Sequence, residues 1–210
     1  GLFIATILIE NNGAYLFNGV APDTYTVQLS TNQGVVGQPQ PATVLPAGWV
    51  NTGEFNGVGA VSDGSVNGVY APIVVVANDI KTDNNFGIER LPDSKPFNTV
   101  ILTPNLGESI ALTTPSAQRF GSLPILTGSD PEDQPGTGSL SGKTVQITQL
   151  PQNFTVLRYN GIPVLPNQII PNYNPALLDV IFTGSTPTNF IEFRYAYVDA
   201  AGKPDPTPAT

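Results

Sequence analysis

The sequence predicts an all-β protein built as two tandem β-sandwiches of Greek-key type, and three observations carry that expectation. First, 21 Gly and 21 Pro together fill about a fifth of the 210 positions, a density that breaks helices and marks tight turns. Second, the remaining residues are rich in Val, Ile, Thr, Tyr, Phe and Asn, and the β-branched and aromatic members of that set suit a pleated, half-buried surface. Third, short apolar runs recur between turn signals, at the spacing of a sandwich. No helical period extends beyond one or two turns.

The first half reads as strands separated by turns. Leu2–Ile9 is an apolar β run, and Asn11-Asn12-Gly13 a hairpin-type turn, since Asn and Gly accept positive φ. Ala14–Phe17 is a second short run, ended by the Ala21-Pro22-Asp23 turn, and Tyr25–Leu29 alternates with period two. Residues 31–68 are Gly-, Asn- and Pro-rich and promise few strands. Val69–Val76 is apolar, and Asn85–Ile88 reads as a closing strand.

Pro92 and Pro96, with charged residues between them, predict a stiff linker over 93–97. The domains expected on either side are 1–92 and 98–210. The second half runs through Thr99–Leu102, Ser109–Thr113, Lys143–Thr148, Phe154–Tyr159, Leu177–Phe182 and Phe190–Val198. Pro175–Leu178 is a candidate helical turn. Phe193, Tyr195 and Tyr197 share one strand face with Ile191, the pattern of a core stripe. Trp49, in a loop region, is expected to cover a sandwich end.

Composition excludes several function classes. With 8 Lys+Arg against 16 Asp+Glu, net charge −8, the chain lacks the basic footprint that phosphate backbones and anionic membranes attract. Divalent cations are its natural counter-charges. Neither His nor Cys occurs, so Ser-His-Asp and Cys-His catalysis are impossible within the chain, as are disulfides, and zinc would find only carboxylates. No phosphate loop is present, and no enzymatic activity is expected. Charged residues make up only 11%, against roughly 25% in a typical globular domain. That low charge points to an extracellular module, and the absence of Cys to bacterial secretion. No apolar run reaches the roughly 18 residues that span a bilayer.

The stretch Asn12-Gly13-Ala14-Tyr15-Leu16-Phe17-Asn18-Gly19-Val20-Ala21-Pro22-Asp23-Thr24-Tyr25-Thr26-Val27 resembles the signature of SdrD B-like (Cna B-type) domains, and Asn85-Phe86-Gly87-Ile88 resembles their closing strand. In the second half Leu126–Asp133, Tyr173–Leu178 and Phe193–Gly202 resemble bacterial cadherin-like tandem repeats of large Bacteroidetes surface proteins. The two resemblances in tandem imply an Ig-like architecture in both halves, each truncated at its chain end. They also imply a stalk segment of a giant gliding-motility-type adhesin of the kind exported by type IX secretion. Such a segment lies on the extracellular face of a bacterium and has the neighbouring domains of the same polypeptide as its partners. A direct glycan- or protein-binding module, or a filament subunit that accepts a donor strand, are the other readings.

Chemistry concentrates in acidic turns. Asp130, Glu132 and Asp133 lie within four residues, and Asp199 and Asp205 flank a late turn. Calcium takes about 6–8 oxygen ligands, and acidic turns between strands supply them. The cadherin-like resemblance implies calcium there, with Asp130, Glu132, Asp133 and Asp199 as ligands. A solvated Asp-Pro turn explains the same residues. Asp79, Asp83, Asn84 and Asn85 form a second polar cluster with the same two readings. Some B-type domains also carry an internal Lys–Asn isopeptide bond, which needs a Lys on the first strand and a buried acid. The first Lys is Lys81, so no such bond is expected. Glu10 and Asp23, the acids nearest that role, read more simply as turn residues.

Overall fold

The computed structural model describes residues 1–57, 62–98, 100–101, 106–112, 119–120, 125–152, 155–184 and 191–210. The chain is essentially all β, and among the described residues one 3₁₀ turn lies over Pro175–Leu177, where a helical turn was expected. Asn174 caps that turn by accepting the Ala176 N–H, and Pro at its start has no N–H to lose. Two compact units divide it, Gly1–Glu89 and Arg90–Thr210. Among the described residues no helix is long and apolar enough to cross a membrane.

In the first unit, β1 (Asp23–Gln28) pairs antiparallel with β3 (Val69–Val75). The ladder slips between Tyr25 and Val27, opposite the stretch that contains Pro72; proline has no N–H to give a ladder, and a bulge is where it fits. The second pair joins β2 (Trp49–Phe55) to β4 (Asn85–Arg90). Trp49 thus opens a strand rather than lying in a loop. Tyr15 and Phe17 do share a face: their rings stand edge to face at 6.2 Å, and Tyr15 donates a hydrogen bond to the Asn84 carbonyl.

Leu2–Ile9 does not form the expected strand. It makes one isolated bridge, Leu2 to Pro39, and Leu2, Ile4, Ile7, Leu8 and Ile9 are exposed. A β-prone run becomes a strand only where a neighbour accepts its amides and covers one face, and here only Phe3 exchanges backbone bonds, with Gly37 and Gln38. Among the described residues of this unit, Tyr70 and Ile73 are the only buried large hydrophobics.

The second unit holds the main core. Its strands are β5 (Asp93–Lys95), β6 (Val100–Ile101), β7 (Ser109–Ala111), β8 (Arg119–Phe120), β9 (Thr127–Asp130), β10 (Gln134–Ser139), β11 (Thr144–Gln149), β12 (Thr155–Tyr159), β13 (Ile162–Pro163), β14 (Gln168–Ile170), β15 (Leu178–Phe182) and β16 (Arg194–Val198). One sheet has the order β13-β12-β15-β7, a second β14-β11-β16, a third β10-β9-β5, and β6 pairs with β8. The core draws Ile110, Leu157, Leu178 and Val180 from the first sheet and Val145, Ile147, Tyr195 and Tyr197 from the second. Period-two burial along β11 and β15 follows directly from alternating side chains. The stripe of Phe193, Tyr195 and Tyr197 is buried core, and Ile191 packs on it. Phe190, Thr99, Leu102, Thr113 and Phe154 lie outside the described residues.

The expected linker 93–97 is instead part of this sandwich. Asp93, Ser94 and Lys95 pair with Ser129, Gly128 and Thr127 of β9, and Ser94 is buried. Pro92 and Pro96 bracket the three residues whose amides the ladder can use. Prolines at the ends of a short edge strand stop it without breaking it. The compact units accordingly meet at Glu89 and Arg90, ahead of both prolines.

Candidate metal centre

Two turns of the second unit carry its acids. β9 ends on Asp130 and turns through Glu132 and Asp133 into β10. β16 ends at Val198, and Asp199 opens the turn that returns the chain to Lys203. Each acid is bound locally, as the turn reading requires. Asp130 Oδ1 accepts the N–H groups of Glu132 and Asp133 at 2.9 and 2.8 Å. Asp199 Oδ1 accepts the Lys203 N–H at 2.6 Å. Asp133 Oδ2 accepts the Ala200 N–H at 2.7 Å and so ties the two turns together.

The plain turn leaves two atoms unexplained. Asp130 is fully buried and Asp199 is 4% exposed. Their second oxygens, Asp130 Oδ2 and Asp199 Oδ2, are buried with no hydrogen-bond partner among the described residues. Buried carboxylate oxygens are costly unless a donor or cation meets them, and no ion pair between described residues reaches either acid. The Lys143 ammonium stands at the edge of the site but donates to the Asp133 carbonyl at 3.1 Å. Beside it a cavity of about 180 Å³ is lined by Asp133, Lys143, Thr144, Tyr197 and Asp199. Hard oxygen donors without nitrogen or sulfur suit calcium, so the residues present fit the cation the sequence suggested.

The sequence-derived ligands divide. Asp130 and Asp199 bring carboxylate oxygens within 4.8 Å of one another, Asp133 ties their two turns together by accepting the Ala200 N–H, and Glu132 is exposed and contributes its backbone N–H to Asp130. Asp205 serves elsewhere, as a buried acceptor for Ser94 and Thr207. In the first unit Asp79 pairs with Lys81 at 2.7 Å, and that bond holds its carboxyl below the ordinary range. Glu10 and Asp23 are exposed. The buried acid of that unit is Glu54, which sequence reading missed; a charged residue inside a Thr-Gly-Glu-Phe stretch gives no period-two signal of burial.

Burial pushes the Asp199 carboxyl above its ordinary value; the Lys203 N–H works against this, and the Asp130 and Asp133 charges add to it. A raised folded-state pKa means stability from this group is complete below the ordinary pKa of about 4 and is lost as pH rises through the folded value. With calcium chelated, the stability difference between wild type and Asp199→Asn should therefore shift in favour of the variant as pH rises out of the acid range. Denaturant midpoints of both proteins in EDTA, taken from pH 4 to 7, measure this.

No family model, curated protein or solved structure matches the chain.

Proposed function

We propose that the chain is a spacer segment of a large secreted adhesin on a bacterial surface, holding a distal adhesive region away from the cell and catalysing nothing. The observation that carries this is the way the second unit is bordered. Ser94 N–H donates to Asp205 Oδ2 at 2.6 Å, and Phe97 N–H donates to the Thr210 carbonyl at 2.9 Å. Both pairs ascend together, so residues 93–97 and 204–210 run side by side in the same direction. The last segment in turn bridges antiparallel to β16, Pro204 to Val198 and Ala209 to Tyr195.

Two parallel neighbours are pulled past one another when tension is applied at the start of one and the end of the other. Their contacts are then loaded in shear and must fail together, whereas an antiparallel pair pulled from one end opens bond by bond. Forced unfolding is governed by the unfolding barrier, and shear raises that barrier. Calcium joining the Asp130 and Asp199 turns would stiffen the same unit in the millimolar calcium outside cells, where sites with Kd of about 10⁻⁴–10⁻³ M are occupied.

Single-molecule pulling tests the reading. The chain has no Cys, so attachment cysteines can be placed at will. Pulling through positions 90 and 210 should require distinctly more force than pulling through 194 and 210, which unzips the β16 pairing. Asp205→Ala should lower the first force and leave the second nearly unchanged. Equal forces in the two geometries would remove the mechanical argument.

A further inference from the structure

The first unit has a buried acid with one carboxylate oxygen unpartnered among the described residues. β2 places Glu54 fully out of solvent, the only buried charged residue described in that unit. Its Oε1 accepts the N–H groups of Asn67, at 3.0 Å, and of Gly68, and so holds the turn that leads into β3. Its Oε2 is buried with no hydrogen-bond partner among the described residues. The side-chain oxygen of Asn51, three residues earlier on the same strand, is in the same condition. Both side chains border Gly68: one receives its N–H, and a Cβ on Gly68 would lie 3.0 and 3.1 Å from the Asn51 amide nitrogen and oxygen. Gly68 has φ of +75°, so glycine is favoured there by conformation as well as by space.

No basic side chain of this unit is left to neutralise Glu54. Residues 1–89 contain one Lys and no Arg or His, and that residue, Lys81, is paired with Asp79 at 2.7 Å. What remains is one uncompensated carboxylate oxygen and one amide oxygen, both acceptors only. A divalent cation would satisfy both oxygens.

We infer that Glu54 Oε2 and Asn51 Oδ1 form part of a second divalent-cation site, of calcium type, in the first unit. The donors are oxygen alone, which suits a hard ion; backbone carbonyls and water supply the remaining ligands that calcium takes. With one formal charge among its side-chain ligands, the site is weak, in the range of extracellular modules. It is independent of Asp130 and Asp199, and it gives the 1–89 unit, short of buried hydrophobics, a means of holding β2 to the turn before β3.

Terbium is the probe, because Trp49 is the only Trp and opens the strand that carries both ligands. At about 3.3 Å per residue, Trp49 is roughly 7 Å along the strand from Asn51, close enough to sensitise a bound lanthanide under Trp-selective excitation. The full chain should show Trp-excited terbium emission that calcium competes away. The emission should be lost in Glu54→Gln and retained in the double variant Asp130→Asn, Asp199→Asn. Glu54→Gln keeps the acceptor for Asn67 and Gly68, and an unchanged circular dichroism spectrum confirms that it folds. Calcium counted by equilibrium dialysis should drop by one per chain in Glu54→Gln, and by one more when Asp130→Asn and Asp199→Asn are added to it. Emission that survives Glu54→Gln, or its absence from the folded wild type, would overturn the site and leave a buried water as the bridge between the two oxygens.

Discussion

Replacing Asp205 by Ala is expected to cost the 90–210 unit about 3 kcal/mol. Asp205 is 3% exposed. One of its oxygens accepts the Ser94 N–H, and the other accepts both the N–H and the hydroxyl of Thr207. Ser94 is itself buried, and its hydroxyl accepts the Tyr197 N–H at 2.7 Å. Alanine removes the acceptor and leaves buried donors behind. A hydrogen bond to a charged group contributes about 1.5–3 kcal/mol, and an orphaned buried donor costs about 1–3 kcal/mol. Asp205→Asn keeps one carbonyl oxygen in place and should cost distinctly less. Hydrogen exchange of β11 and β16 amides reports this unit alone. A loss below about 0.5 kcal/mol, the range of an ordinary surface substitution, would mean that the Ser94–Asp205 contact does not hold the bordering segments together.

Calcium should raise the thermal midpoint of the same unit, and EDTA should reverse the rise. A ligand that binds only the folded state stabilises by RT ln(1 + [L]/Kd), roughly 2.7 kcal/mol at a hundredfold excess over Kd. For a unit of this size that is a shift on the order of 10 °C. Asp130→Asn together with Asp199→Asn should abolish the response. In EDTA the double variant should melt no lower than wild type, because two buried oxygens lose their uncompensated charge. Glu132→Gln should change the response little, since that residue is exposed. An identical wild-type midpoint with calcium and with EDTA would eliminate a stabilising ion and leave Asp130 as a plain turn acid.

Some of this was legible in the residues themselves. The all-β class, the strands near Tyr25, Val69, Asn85, Lys143, Leu177 and Tyr195, and the burial of the Phe193–Tyr195–Tyr197 stripe follow from local rules. β-branched and aromatic residues alternate, Asn and Gly end them, and the alternation itself says which face is inside. The acidic turns were also visible, because three carboxylates within four residues stand out in so lightly charged a chain.

Only the tertiary structure decided which of those acids matter and what the termini of the units do. A carboxylate's role depends on what surrounds it, and burial is a property of distant segments: Asp130 and Asp199 lose solvent together, Glu132 keeps it, and Asp205 finds Ser94 more than a hundred residues away. Glu54 was invisible for the same reason. Leu2–Ile9 has every local mark of a strand and forms none, because a strand is defined by its neighbour's hydrogen bonds. Residues 93–97 carry the local marks of a linker, yet Asp93–Lys95 become a strand, because β9 pairs with the three residues between Pro92 and Pro96. Sequence patterns specify what a segment can pair with, and the pairing is settled by which partner the rest of the chain brings within 5 Å.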